Sequence, residues 1–235
     1  MLAMFKMFGK VTASQFGLIL LGFGALFSCL NFYPEEWYFS RPVKNFQDFY
    51  ANVGTEFFGI AITVLIIDEL NKRREDEKLK EQLVRELGNP DNGIALRAAG
   101  ELNARGNLLD GTLMRANLQK SNLDNAVLLE ANLKYSDLKY ARLKNVKLSG
   151  SDISFSNLEQ TDLSQANLNQ ATLIQADLKK SVLYRAELIS ANLEKSDLEG
   201  ANLQEAKFNK AILLNTKLSG VFAGLFHSEN ALECV

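Results

Sequence analysis

From residue 108 to residue 218 every fifth position holds a large apolar side chain; of these 23 positions 21 are leucine, with Ile153 and Phe208 the exceptions. Two residues before each one the occupant is small: twelve Ala, six Ser, two Gly, two Thr and one larger residue, Val146. Asn or Asp fills 13 of the 23 positions in between. An α-helix cannot use this pattern, because a step of five advances about 500° at 100° per residue and spreads the leucines around the axis. A flat strand cannot use it either, since its period of two sends successive leucines to opposite faces. A chain that turns a corner once per repeat can. The large and the small residue then share an interior, and the other three face water. Leu118, Leu138, Leu158, Leu163, Leu178, Leu198 and Phe208 belong to that inward ladder.

Runs such as ANLQK at 116, SNLDN at 121, TDLSQ at 161, ANLNQ at 166, SDLEG at 196 and ANLQE at 201 closely resemble the pentapeptide-repeat family. Its signature is a small residue, Asn or Asp, Leu and two variable positions. The resemblance covers about half the chain and implies an all-β, right-handed quadrilateral β-helix with four repeats per coil. It implies about six coils, in a rod of roughly 28 Å at ~4.8 Å per coil. Val146, bulky for its slot and followed by Lys147, predicts a bulge around 140–150. After Leu218 the next inward position is Ala223, so residues 221–235, with Val221, Phe222, Leu225 and Phe226, read as a C-terminal cap or a dimer contact.

The N-terminal third has a different solvent. Val11 to Pro34 carries no charge, and Phe49 to Ile67 carries only Glu56. Each run approaches the ~20 residues that cross a hydrocarbon core, so residues 1–70 are expected to form a two-span transmembrane α-hairpin. Phe32, Tyr33, Trp37, Tyr38 and Phe39 between the runs suit an interfacial belt. Lys6 and Lys10 precede the first run, and Lys72, Arg73, Arg74, Lys78 and Lys80 follow the second. Arg41 and Lys44 are the only basic residues between them, which puts both termini and the repeats on the cytoplasmic side. Glu56 and Asn52, one helical turn apart on one face, are the candidate intramembrane polar site. The competing reading places Glu56 at headgroup level, solvated.

Residues 71–105 read as a charged juxtamembrane helix and a capping helix. Asp76 with Lys80 and Glu81 with Arg85 are helix-supporting pairs four apart. Leu79, Leu83, Val84 and Leu87 form a stripe that fits the solenoid, a sister chain or lipid headgroups. Asn89 to Gly93 makes a turn with N-cap residues, followed by Ile94, Ala95, Ala98, Ala99 and Leu102 at helical spacing and closed by Gly106. A helix there suits the end of residues 106–220, because a solenoid's terminal coil exposes its core.

No catalytic constellation is visible. The cysteines, Cys29 and Cys234, are far apart and the one histidine is His227, so neither a metal nor another cofactor is expected. The recurring Asp137, Asp152, Asp162, Asp177 and Asp197 follow the repeat, which suits corner hydrogen bonding or solvation. Between residues 103 and 220 there are 15 Lys and Arg against 13 Asp and Glu, so a DNA-mimic topoisomerase inhibitor, which needs a strongly negative surface, is disfavoured. No nucleic acid or small-molecule substrate is indicated. The expectation is a non-catalytic scaffold at a bacterial plasma membrane, or a thylakoid if the host is cyanobacterial. Its partners are lipid and an unidentified protein, and it has the option of homo-oligomers. The alternative is an oligomeric channel or transporter component with the solenoid as assembly platform.

Overall fold

The computed structural model describes residues 13–30 and 44–222, and side chains for residues 14–26 and 55–222. It contains helices α1 (Ala13–Leu30), α2 (Lys44–Leu87) and α3 (Asn92–Ala104), followed by the repeats. Two compact units divide within α2, between Glu77 and Lys78.

In the first unit α1 and the N-terminal half of α2 pack antiparallel. Phe23 faces Phe57, with ring centroids 6.5 Å apart. Closer to the start of α1, a Cβ on Gly17 would lie 2.8 Å from Leu65 Cγ, so glycine is what allows the backbones to approach there. Among the described residues no helix is long and apolar enough to cross a membrane. α2 becomes densely charged from Asp68 onward. Of the expected spanning hairpin, the described residues show a packed pair of apolar helices. Its connection at 31–43 lies outside the described residues.

The second unit is the repeat column. Eighteen parallel bridges run from Asn117↔Asp137 to Asn202↔Phe222, each joining residue i to residue i+20. Twenty residues are four repeats of five, so the chain closes a four-sided coil before stacking on itself. From Leu108 to Leu213 the ladder residues, with the alanines and Val146 two positions before them, form one continuous buried core. Leu118, Leu138, Leu158, Leu163, Leu178, Leu198 and Phe208 are all within it.

Each repeat satisfies its own backbone, as the segment around Leu118 illustrates. Leu118 N–H donates to Asp137 O at 2.8 Å, and Asp137 N–H to Ala116 O at 2.9 Å. Lys120 N–H donates to Lys139 O, and Ser121 N–H closes the corner on Leu118 O. The remaining amide, Gln119 N–H, donates to Asn117 Oδ1 at 3.2 Å. Buried backbone groups need such partners, and here the sequence signature supplies them. From position 117 onward every Asn or Asp in the slot before the large apolar residue accepts from the amide two residues on, Asp137, Asp152, Asp162, Asp177 and Asp197 included. Where Arg142 and Glu187 occupy the slot, the coil below substitutes: Lys144 N–H donates to Asp124 Oδ1 and Ile189 N–H to Asn169 Oδ1.

The corners require left-handed backbone. Every fifth residue from 115 to 220 has positive φ, between 53° and 70°, and 19 of these 22 are not glycine. The left-handed region costs an L-residue roughly 1–2 kcal/mol, and the corner and ladder hydrogen bonds offset it.

The column differs from expectation in three places. The repeats at 106–115 contain turns without bridges, although Leu108 and Leu113 are buried; Asn132 N–H donates to Leu108 O instead of the residue the register would offer. At Val146 there is no bulge: its side chain is fully buried and the bridges at Lys147 are intact on both sides, because the interior accepts a valine beside the leucines. The ladder also outlasts Leu218, reaching Phe222, since backbone pairing does not need a leucine in register. Residues 223–235, with the cap or dimer contact expected of them, lie outside the described residues.

At the other end α3 is the cap. Asp91 accepts from Ile94 N–H at 3.1 Å as N-cap. At the C-terminus Gly106, at φ 74°, donates to Asn103 O while Asn107 N–H donates to Leu102 O, the paired bonds of a Schellman motif. Ala95, Ala98, Ala99 and Leu102 are buried with Leu83 and Leu87 of α2 in the same core as the first ladder leucines. Ile94 is exposed instead of inward. Asn89 O accepts from Asn122 N–H at 3.1 Å, and Asn92 Nδ2 donates to the carbonyls of Asn122 and Asp124, both at 3.0 Å. These bonds occupy strand-edge groups that a terminal coil otherwise leaves open.

Candidate binding surface

Because the backbone is occupied within the column, recognition falls to the three outward side chains of each repeat. Residues twenty apart stack one above another on a face. The face that begins at residue 116 is a charge ladder: Lys139 pairs with Glu159, Lys179 lies 3.3 Å from both Asp177 and Asp197, and Lys217 lies 3.0 Å from Asp197. Partial burial works to raise the Asp197 carboxyl, but the Lys217, Glu199 and Lys179 donors hold it below its usual range. The Asp177 carboxylate, with Asp197, pushes the Lys179 ammonium up. The next face carries Arg142 with Asp124, Lys144 with Asp162, and Arg185 with Glu205. These two faces neutralise themselves.

The other two faces also carry ion pairs, Lys207 with Glu187 on one and Lys134 with Asp152 on the other, together with most of the exposed apolar surface. Leu109, Val127 and Leu129 are exposed on one, and Met114, Tyr135, Phe155, Ile212 and Leu214 on the other. Tyr135 and Phe155 stack at 5.0 Å and 11° between planes, and the Arg115 guanidinium sits 5.7 Å from the Tyr135 centroid. Each ring is more than two-fifths exposed. Aromatics of this kind, held flat on a rigid support, are characteristic anchors of protein interfaces. They went unnoticed at a period of five. Reading positions 115, 135 and 155 together, at a period of twenty, finds them.

Of the polar pair expected in the N-terminal segment, Glu56 is exposed on α2, and the Asn52 side chain lies outside the described residues. Among the described residues no group of His, Cys, Asp or Glu is arranged to hold a metal ion. The most depressed carboxyl is structural. Burial works to raise Asp110, but Thr112, Asn107 and Lys80 hold it far below the carboxylate range, where the column begins beside the end of α2.

The model of the family described as pentapeptide repeats matches residues 113–150, 147–185 and 186–222, in eight copies. The chain is similar to the crystal structure of the pentapeptide repeat protein Rfr23 from the cyanobacterium Cyanothece 51142, at 27% identity over 53% of this chain and 99% of that one, with a TM-score of 0.49. It is similar to alr5209, a pentapeptide repeat protein from Nostoc PCC 7120, at 31% identity over 43% of this chain and 79% of that one, with a TM-score of 0.27. It also matches QnrB1, a plasmid-mediated fluoroquinolone resistance protein, at 18% identity over 48% and 67% of the two chains, with a TM-score of 0.27. No curated protein matches the chain. With the repeat motif, the four-sided ladder at i+20 and the eight matched copies of the family model, the chain belongs to the pentapeptide-repeat family.

Proposed function

We propose that this chain is a non-catalytic scaffold that presents its repeat column to a protein partner while its N-terminal helix pair tethers it to a membrane, with the column on the cytoplasmic side. The observation that carries the scaffold reading is the Tyr135–Phe155 stack: ion pairs line all four faces, but on this one two stacked rings lie exposed together with Met114, Ile212 and Leu214. A near-neutral column disfavours the imitation of nucleic acid. The tether is supported by eight large apolar side chains exposed on the helix pair: Leu18, Phe23 and Leu26 on α1 and Ile60, Ile62, Ile66, Ile67 and Leu70 on α2. Surface of that extent implies a cover, and lipid is the cover that suits it.

Crosslinking followed by pull-down from native membranes tests the scaffold. A partner captured by the wild-type chain is expected to be lost with Tyr135→Ser/Phe155→Ser and kept with Lys139→Gln. Equal capture by both variants contradicts the assigned faces, and recovery of this chain alone replaces the partner with a homo-oligomer. Resistance of the full chain to alkaline extraction from membranes is expected for the tether, and complete release contradicts it.

A further inference from the structure

Helix α2 changes character abruptly. Ile60 and Ile67 are exposed seven residues apart, and Arg74 follows after seven more, with Lys78 four residues beyond. At 100° per residue these four side chains fall within about 40° of one another, so the apolar stripe runs straight into a cationic one. The neighbouring cation, Arg73, projects away from the stripe and is held by Glu69 at 2.8 Å. Arg74 and Lys78 are exposed and make no ion pair among the described residues. Of the nearby acids, Glu69 and Asp76 lie on the opposite side of the helix by the same spacing, Glu75 and Glu77 about 60° from its two edges, and Glu81, one turn further on and close to the stripe, lies 3.7 Å from Arg85.

We propose that Arg74 and Lys78 bind anionic lipid headgroups, so that the tether selects negatively charged bilayers over neutral ones. The inference rests on the membrane tether proposed above and names its lipid. An apolar stripe fixes the depth of the helix in the acyl boundary, and cations one to two turns beyond it then lie where phosphate groups are. Arg adds a planar fork that matches a phosphate, and Lys a point charge. Among the described residues neither cation has an ion-pair partner to displace, which distinguishes them from Arg73 with Glu69.

The test is cell-free synthesis of the full chain in the presence of vesicles, followed by flotation. Vesicles of phosphatidylcholine alone are compared with vesicles containing phosphatidylglycerol. The wild-type chain is expected to favour the anionic vesicles by on the order of tenfold, less at high salt. Arg74→Gln/Lys78→Gln is expected to abolish that preference while still floating with neutral vesicles. Lys120→Gln/Lys210→Gln, which removes the same charge from the column, is expected to retain it. Equal wild-type flotation with both vesicles overturns the headgroup site and leaves the tether standing, as does a preference that survives Arg74→Gln/Lys78→Gln. Absence of flotation with either vesicle overturns the tether and the headgroup site together.

Discussion

At the corner residues, side-chain identity matters less than backbone sign. Gln165 sits at φ 59°, and its N–H donates to Tyr184 O on the next coil. A β-branched side chain is the poorest occupant of that conformation, so Gln165→Val should destabilise the column by about 1–2 kcal/mol. Gln165→Gly should be near neutral, as relief of strain and added unfolded-chain entropy oppose each other. Chemical denaturation of the two variants checks this, and equal losses would contradict the left-handed corner. The inward serines divide in a second way. Ser156 Oγ donates to Ile153 O at 2.6 Å, whereas the hydroxyls of Ser121, Ser136, Ser181 and Ser196 are buried without a partner. An unpaired buried hydroxyl is unfavourable, so Ser136→Ala should be neutral or stabilising by up to about 1 kcal/mol, and Ser156→Ala should lose about 1 kcal/mol. Thermal melting distinguishes the two signs.

Among the elements, the coils and the cap are stabilised differently. Leu163, fully buried midway along the ladder, should cost about 3–4 kcal/mol when cut to Ala, and Leu163→Lys should unfold the column because its charge has no partner there. Lys179→Ala removes two partly exposed ion pairs, to Asp177 and Asp197, and should change stability by less than about 1 kcal/mol. At the cap Asn92→Ala withdraws the side-chain donor to two carbonyls and should cost about 1–2 kcal/mol, read as early loss of amide-exchange protection in the first coils. The coils were legible because their information is local: a small residue, an Asn or Asp that ties down the amide two residues on, and a leucine. The cap's helix was equally plain from Asp91 and the alanine spacing. Its bonds were not, because Asn92 reaches Asn122 thirty residues away and nothing near either residue marks the contact.

On the scale of the whole molecule, acid titrates the ladders collectively. The carboxyls of Asp110, Asp152, Asp162 and Asp197 lie below their ordinary values in the folded chain despite partial burial, because lysines, amides and hydroxyls donate to them. Depressed folded values mean that their stabilisation is present above the unfolded carboxylate pKa of about 3.9 and is lost as pH falls through the folded values. The melting temperature should therefore hold from pH 7 to about 5 and fall below about 4. A rise on acidification would contradict the ion ladders. At this scale the period of twenty came from the family resemblance and not from the residues alone, since a repeat of five does not by itself say how many repeats close a coil. The N-terminal segment was legible as two apolar helices, since apolar runs reveal burial from water; that α2 shares one continuous helix between an apolar half and a charged half ending in the column's core was not.

The four-repeat coil is tested most directly by cysteine pairs in a chain whose Cys29 and Cys234 are replaced by Ser. Ser164 and Tyr184 face outward on adjacent coils, and a ladder spacing of ~4.8 Å lies within the Cα separation a disulfide spans. Ser164→Cys/Tyr184→Cys, twenty residues apart, should oxidise to an intramolecular disulfide with the column still folded, while Ser164→Cys/Lys179→Cys, fifteen apart, should stay reduced. Efficient closure of the second pair, with the first left open, would contradict a coil of twenty residues.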